Sequence, residues 1–147
     1  IFAGRGLSGW VKTVDNADGV DKTIEAIADD AGELIFTNLV EFDSKYGHRR
    51  DVAGYAAALK EFDRALPRLM DALGPGDCLV ITADHGNDPA FAGTDHTRER
   101  VPLLVYSGHT PRHLGTRETF ADLGQTVLDN FGLEADRGES FLADIIR

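Results

Sequence analysis

Two stretches of the 147-residue chain place an Asp and a His side by side on glycine-rich turns. One is Ile81-Thr-Ala-Asp84-His85-Gly86-Asn87-Asp88-Pro89, and the other is Gly93-Thr94-Asp95-His96-Thr97-Arg98-Glu99. Neighbouring residues on a strand point to opposite faces, so Asp84 and His85 can meet one ligand only where a strand gives way to loop. A carboxylate and an imidazole there, with His96 eleven residues on, form the oxygen-plus-nitrogen set that borderline divalent metals accept. Asp43 and His48 add a second Asp and His near another turn. The candidate ligands are therefore Asp43, His48, Asp84, His85 and His96, and the chemistry they suit is metal-dependent phosphoryl transfer.

Each of these residues has a plainer reading. Asp43 could cap the turn that follows it. His48, beside Arg49 and Arg50, could be solvated surface, and so could His96. The two adjacent Asp–His pairs weigh against that. Asp95 has the better donor His96 as its neighbour, and its expected role is to orient a ligand or fix the loop. Arg98 and Glu99 suit a salt bridge, Arg49-Arg50-Asp51 a helix start with ordinary surface charges, and His109 and His113 a polar surface loop. In a two-metal site the ions stand about 3.5–4 Å apart and clamp the attacking and leaving oxygens of an in-line displacement. Five ligands exceed the three protein ligands usual for one catalytic zinc. They fall short of two well-filled centres unless a nucleophile and another carboxylate join them.

These residues need elements to position them. The chain has one domain's worth of length, with 42% hydrophobic and 27% charged residues. The segment 78–83 reads as a buried strand ending at Asp84, and 33–40 as another ending near Asp43. The segment 101–107 reads as a third, and a short strand near 10–13 is a further candidate. Helices are expected over about 21–31, capped by Asp18 or Asp21 and ended by Gly32, and over 119–131, stopped by Gly132. The longest helix runs from Asp51 to about Leu73. Its apolar stripe is Val52, Tyr55, Leu59, Phe62, Leu66, Leu69 and Leu73, with a kink or break at Pro67. Residues 44–50 read as loop, and 141–146 as a short terminal helix. The order predicts an α/β layered domain with a mainly parallel sheet, whose strand ends gather the ligands.

The net charge of -10 and the pI near 4.8 exclude the basic footprint of a nucleic-acid surface. They are compatible with an anionic substrate, because bound cations reverse the sign of a local site. A single cysteine, Cys78, excludes an internal disulfide and is expected buried and inert. No run is long enough to span a membrane and no signal-peptide pattern is present, so a soluble, cytoplasmic setting is the default. The abrupt opening on Ile1-Phe-Ala-Gly-Arg-Gly6 suggests a piece of a longer protein.

Several stretches carry a resemblance: Ile1-Phe-Ala-Gly-Arg-Gly6, Asn16-Ala-Asp-Gly19, Phe36-Thr-Asn-Leu-Val40, Phe42-Asp-Ser-Lys-Tyr-Gly-His-Arg-Arg-Asp51, Val52-Ala-Gly-Tyr55, Thr82-Ala-Asp-His-Gly86, Gly93-Thr-Asp-His-Thr-Arg-Glu99 and Thr119-Phe-Ala-Asp-Leu-Gly-Gln-Thr126. Through them the chain resembles the alkaline phosphatase superfamily and, within it, the phosphopentomutase family, over nearly its whole length. Ala-Asp-His-Gly alone marks only the superfamily. Tyr-Gly-His-Arg-Arg-Asp together with Gly-Thr-Asp-His-Thr-Arg-Glu marks the mutases.

The resemblance implies two manganese ions. Asp43, His48 and His96 would hold one, and Asp84 and His85 would help hold the other. It also implies interconversion of ribose (or deoxyribose) 1-phosphate and 5-phosphate through a phosphothreonine, primed by a bisphosphate such as glucose 1,6-bisphosphate. The family's nucleophilic Thr and an N-terminal Asp ligand have no counterpart here, and neither does the lysine expected just before Ile1. The chain thus resembles the C-terminal part of the core, without the N-terminal core segment and the cap that sets pentose specificity. Alone, it is expected to lack activity. It is also expected to associate with the missing part or with itself through exposed apolar surface. The rival readings are a cofactor-independent phosphoglycerate mutase-like enzyme, a phosphatase of the same superfamily, or an inert metal-binding fragment.

Overall fold

The computed structural model describes residues 2–146, which form two compact units. The first takes the residues up to Gly74 together with His85–Val101, and the second takes Pro75–Asp84 together with the residues from Pro102 on. The fold is mixed α/β.

The first unit is built on two helices. α1 spans Asn16–Ala28 and starts five residues before the expected 21. Asp15, not Asp18 or Asp21, is its N-cap, accepting from Asp18 N at 2.8 Å. A distant carboxylate reinforces this choice: Asn16 N donates to Glu41 Oε2 at 2.8 Å, and Glu41 N returns a bond to Asn16 Oδ1 at 3.2 Å. The helix also stops before Gly32. Asp30 takes the left-handed conformation (φ 51°), and the Asp30 N–Ile27 O and Ala31 N–Ala26 O bonds close a Schellman turn.

α2 spans Val52–Ala72, capped by Asp51 through Gly54 N at 2.8 Å, as its sequence predicts. Pro67 does not break it. Its inward stripe differs in part from the expected one. Ala58 and Leu69 are buried, whereas Val52 and Leu59 remain exposed.

The segment 33–40 forms no strand, since no other described strand offers it a ladder. It keeps strand-like alternation: Ile35, Thr37 and Leu39 are half-buried, while Leu34 and Phe36 are each 61% exposed. Leu39 approaches α1 so closely that a Cβ on Gly19 would sit 2.7 Å from Leu39 Cδ2. The expected strand at 10–13 is likewise absent.

The expected loop at 44–50 is instead largely a π-helical turn, Phe42–Gly47, with wide bonds such as His48 N to Asp43 O at 2.9 Å. Phe42 anchors this turn edge-on against Tyr55 and Phe62 of α2, with ring centroids 6.0 and 6.4 Å apart.

The second unit holds β1 (Leu79–Thr82) and β2 (Leu103–Tyr106), paired antiparallel with Leu79 opposite Tyr106 and Thr82 opposite Leu103. Cys78, just before β1, is exposed rather than buried. Its neighbours in the strand are only half-buried, so the apolar run does not enclose it. α3 (Ala121–Asn130) ends at Gly132 (φ 67°) in a second Schellman turn, with Gly132 N to Asp129 O and Leu133 N to Leu128 O.

The side chains that α3 buries are Asp122 and Thr126, while Phe120 and Phe131 at its ends are exposed. The reason is a polar clasp on the segment leading to α4 (Leu142–Ile145). Asp122 Oδ1 accepts from Glu139 N at 3.0 Å and Thr126 Oγ1 from Phe141 N at 3.0 Å, seating Phe141 as the unit's most buried large side chain. His109 and His113 are exposed, as expected.

Candidate metal centre

Asp43 sits in the second position of the π-helical turn, not at a strand end. The widened turn and the Phe42 anchor direct its carboxylate toward three imidazoles of the same unit. Asp43 Oδ1 lies 3.4 Å from His48 Nε2, 3.4 Å from His96 Nε2 and 4.0 Å from His85 Nε2. The ligand-capable atoms of Asp43, His85 and His96 all lie within 4.8 Å of one another. The His85 and His96 rings stack with centroids 3.7 Å apart, and the His48 ring is tilted against His96 at 4.8 Å.

The loop that carries His85 and His96 is closed at its base by a bridge between Gly86 and Thr97, with Thr97 N donating to Gly86 O at 3.0 Å. Thr97 Oγ1 accepts from Asp88 N at 2.6 Å and donates to Glu99 Oε2. Glu99 thus pairs with Thr97, not with Arg98 as its position suggests. Close approach explains Gly86, since a Cβ there would meet Glu99 Oε2 at 2.5 Å and Thr97 O at 2.8 Å.

The donor set fits a divalent ion. His48 Nδ1 is 2.6 Å from Thr94 O and His85 Nδ1 is 3.2 Å from Gly86 O, and a carbonyl can only accept. Both rings therefore carry their proton on Nδ1 and turn the Nε2 lone pair toward Asp43, the arrangement of metal-ligating histidines. Metal–ligand bonds of about 2.0–2.2 Å in a tetrahedral site leave neighbouring ligand atoms about 3.4 Å apart. That matches the two short Asp43–imidazole distances. His48 Nε2 also stands 3.1 Å from His96 Nε2.

Burial raises the Tyr55 phenol above its ordinary pKa, and the carboxylates of Asp43, Asp88 and Glu99 push in the same direction. The neighbourhood is thus negative as well as rich in imidazole.

The structure brings Asp43, His48, His85 and His96 together. Asp84, the remaining candidate, belongs to the second unit, where it follows β1. Asp95 acts through its main chain, since its carbonyl accepts from Arg50 Nη2 at 2.7 Å. Two residues escaped sequence reasoning. Asn87, in the turn after His85, donates from Nδ2 to Asp43 Oδ1 at 2.7 Å. Arg50, expected on the surface, sends its guanidinium into the 86–97 loop. Nothing in residue type or spacing singles out either one.

A family model of the metalloenzyme superfamily matches residues 6–135. Among curated relatives, a phosphopentomutase of Kosmotoga olearia is 56% identical over 99% of this chain and 38% of that protein. One from Anaeromyxobacter sp. (strain K) is 55% identical over 100% of the chain and 38% of its own length. One from Thermotoga maritima is 55% identical over 96% of the chain and 37% of its own length. The chain thus spans about 38% of the length of the curated relatives it matches.

Proposed function

The chain belongs to the metalloenzyme superfamily, and from that premise we propose that it is the metal-binding part of a phosphopentomutase. The reaction is the interconversion of ribose (or deoxyribose) 1-phosphate and 5-phosphate through a phosphothreonine. The observation that carries this reading is the cluster of Asp43 with the Nε2 atoms of His48, His85 and His96, in a chain 56% identical to a relative of that name. Asp43, His48 and His96 would hold one ion, and His85 with Asp84 would contribute to a second. Manganese is the proposed metal, as the resemblance to the phosphopentomutases implies. Divalent ions supply the positive charge that neutralises a transferring phosphoryl group and lowers the pKa of its nucleophile.

The protein groups have separate tasks. Asp43 presents the anionic oxygen that three imidazoles face. The carbonyls of Thr94 and Gly86 hold the Nδ1 protons of His48 and His85, which keeps both Nε2 lone pairs available. The nucleophilic Thr, a further Asp ligand and the cap are proposed to lie outside these residues. So are strands that would pair with 33–40 and extend the sheet into a layered, mainly parallel one. The exposed Leu34, Phe36 and Val40 would then be contact surface for the rest of the protein, and the isolated chain would self-associate through them. A cytoplasmic setting and priming by glucose 1,6-bisphosphate complete the proposal.

The test uses the full-length protein with Mn2+, glucose 1,6-bisphosphate and ribose 1-phosphate, followed by phosphorus NMR. Conversion to ribose 5-phosphate with little free phosphate is the expected outcome. Release of inorganic phosphate without transfer between sugar positions would make the protein a phosphatase of the same superfamily.

A further inference from the structure

We infer that Arg50 and Asn87 are positioning residues that set the geometry of the metal centre, acting through Asp43 and through the loop that carries His96. The inference rests on the metal-centre reading above.

Arg50 directs every nitrogen of its guanidinium into one loop. Nη1 donates to Asp88 O at 2.7 Å, to Asn87 Oδ1 at 2.9 Å and to Gly47 O at 3.3 Å. Nη2 donates to Asp95 O at 2.7 Å, and Nε donates to Gly93 O. The acceptors span both ends of the 86–97 segment and the end of the π-helical turn. One planar cation therefore ties the element bearing Asp43 to the loop bearing His85 and His96. A lysine ammonium is a point donor and does not reach acceptors spread this widely. The backbone at Arg50 is left-handed (φ 55°), an uncommon conformation for a side-chain-bearing residue, and it precedes the cap of α2 directly.

Asn87 carries the effect to the candidate ligand. A guanidinium has donors and no acceptor, so the amide oxygen of Asn87 must be the atom that faces Arg50. This leaves the amide nitrogen facing Asp43, where it donates to Oδ1 at 2.7 Å. Oδ1 is the oxygen that the three imidazoles surround. Arg50 thus fixes the orientation of the amide, and the amide fixes the oxygen. Asn87 is only 8% exposed, and Gly47 leaves it room, since a Cβ at Gly47 would lie 2.5 Å from Asn87 Nδ2. A buried, fully oriented amide of this kind tunes a site without touching its ion.

The test titrates Co2+ into the full-length protein, the Arg50→Lys and Asn87→Ala variants, and an Arg68→Ala control that breaks only an exposed ion pair to Asp21. The readouts are the visible ligand-field spectrum and the dissociation constant, with circular dichroism as a check on folding. Asn87→Ala and Arg50→Lys are expected to weaken binding about 10–100-fold and to change the band shape, with Arg68→Ala like the parent. If Arg50→Lys fails to fold, Asn87→Ala decides alone. Folded variants with the parent's affinity and spectrum would overturn the inference while leaving the metal centre intact. A parent protein that binds no Co2+ would overturn the metal-centre reading and this inference with it.

Discussion

Replacing Asp43 by Asn separates the charge of the candidate ligand from its structural role. The substitution keeps the size of the side chain and leaves an oxygen to accept from Asn87 Nδ2, a bond of 2.7 Å in the native protein. What it removes is the negative charge that His48, His85 and His96 face at 3.4, 4.0 and 3.4 Å. The metal-free protein should therefore change little, by about 1 kcal/mol or less, the net value of one hydrogen bond. The metal-bound protein should change a great deal. An ion held only by the native state adds about 2.7 kcal/mol of stability at a concentration 100 times its dissociation constant. A directly coordinating carboxylate should be worth at least the ~100-fold affinity loss seen at the upper end for outer-sphere partners. The same concentration then only half-saturates the variant, and the added stability falls to about 0.4 kcal/mol. Urea unfolding with and without Mn2+ reads this directly. The parent midpoint should rise by about 1 M for an m-value near 2–3 kcal/mol/M, and that of the variant should barely move. An Asp43→Asn protein that keeps the full metal-dependent shift would refute Asp43 as a ligand.

Two further outcomes test the scaffold. Gly47→Ala places a methyl 2.5 Å from Asn87 Nδ2 and 2.9 Å from Phe42 O, so it should destabilise the protein by about 1–3 kcal/mol and weaken metal binding, measured by urea unfolding and metal titration. Asp122→Ala removes the acceptor of the part-buried Glu139 N–H and should cost about 1 kcal/mol. The Glu139 N–H bond, followed by Arg117, holds the Asp122 carboxyl below its ordinary pKa. Its contribution is therefore present above the unfolded value and lost as pH falls through the folded one. The gap between Asp122→Ala and the parent should accordingly shrink on acidification below about pH 4, followed by urea midpoints.

Helix-forming information in this chain is local, and it was legible where local chemistry sufficed. Asp51 capping α2 and Gly132 ending α3 need only a side-chain oxygen and a glycine at the right offset. The start of α1 lies earlier than expected because Asp15, not Asp18 or Asp21, caps it, and that choice is reinforced by Glu41, 25 residues from Asn16. The 33–40 segment shows the same limit for sheets. Its alternation is present in the fold, with Ile35, Thr37 and Leu39 inward, yet a strand also requires a partner, and no described strand pairs with it. In α3 the packing is set from outside the helix. Phe141, far along the chain, docks through Asp122 and Thr126, so the helix buries polar groups and leaves Phe120 and Phe131 in solvent.

At the candidate metal centre the difference has a chemical cause. Ligands are constrained by type: an ion selects carboxylate and imidazole, and few residues offer them. Asp43, His48, His85 and His96 are therefore nameable as candidate ligands from residue type alone. The groups that orient ligands are constrained only by position, since any donor at the right distance from Asp43 Oδ1 would serve. Asn87 and Arg50 belong to common surface residue types, and Arg49-Arg50-Asp51 reads equally well as the charged start of a helix. What distinguishes Arg50 is the convergence of the Asp88, Gly93 and Asp95 carbonyls on its guanidinium, 38 to 45 residues along the chain. Main-chain carbonyls are present at every residue and leave no trace in sequence. A centre of this kind is thus half-legible, with its metal-facing side encoded in residue type and its supporting side encoded in the fold.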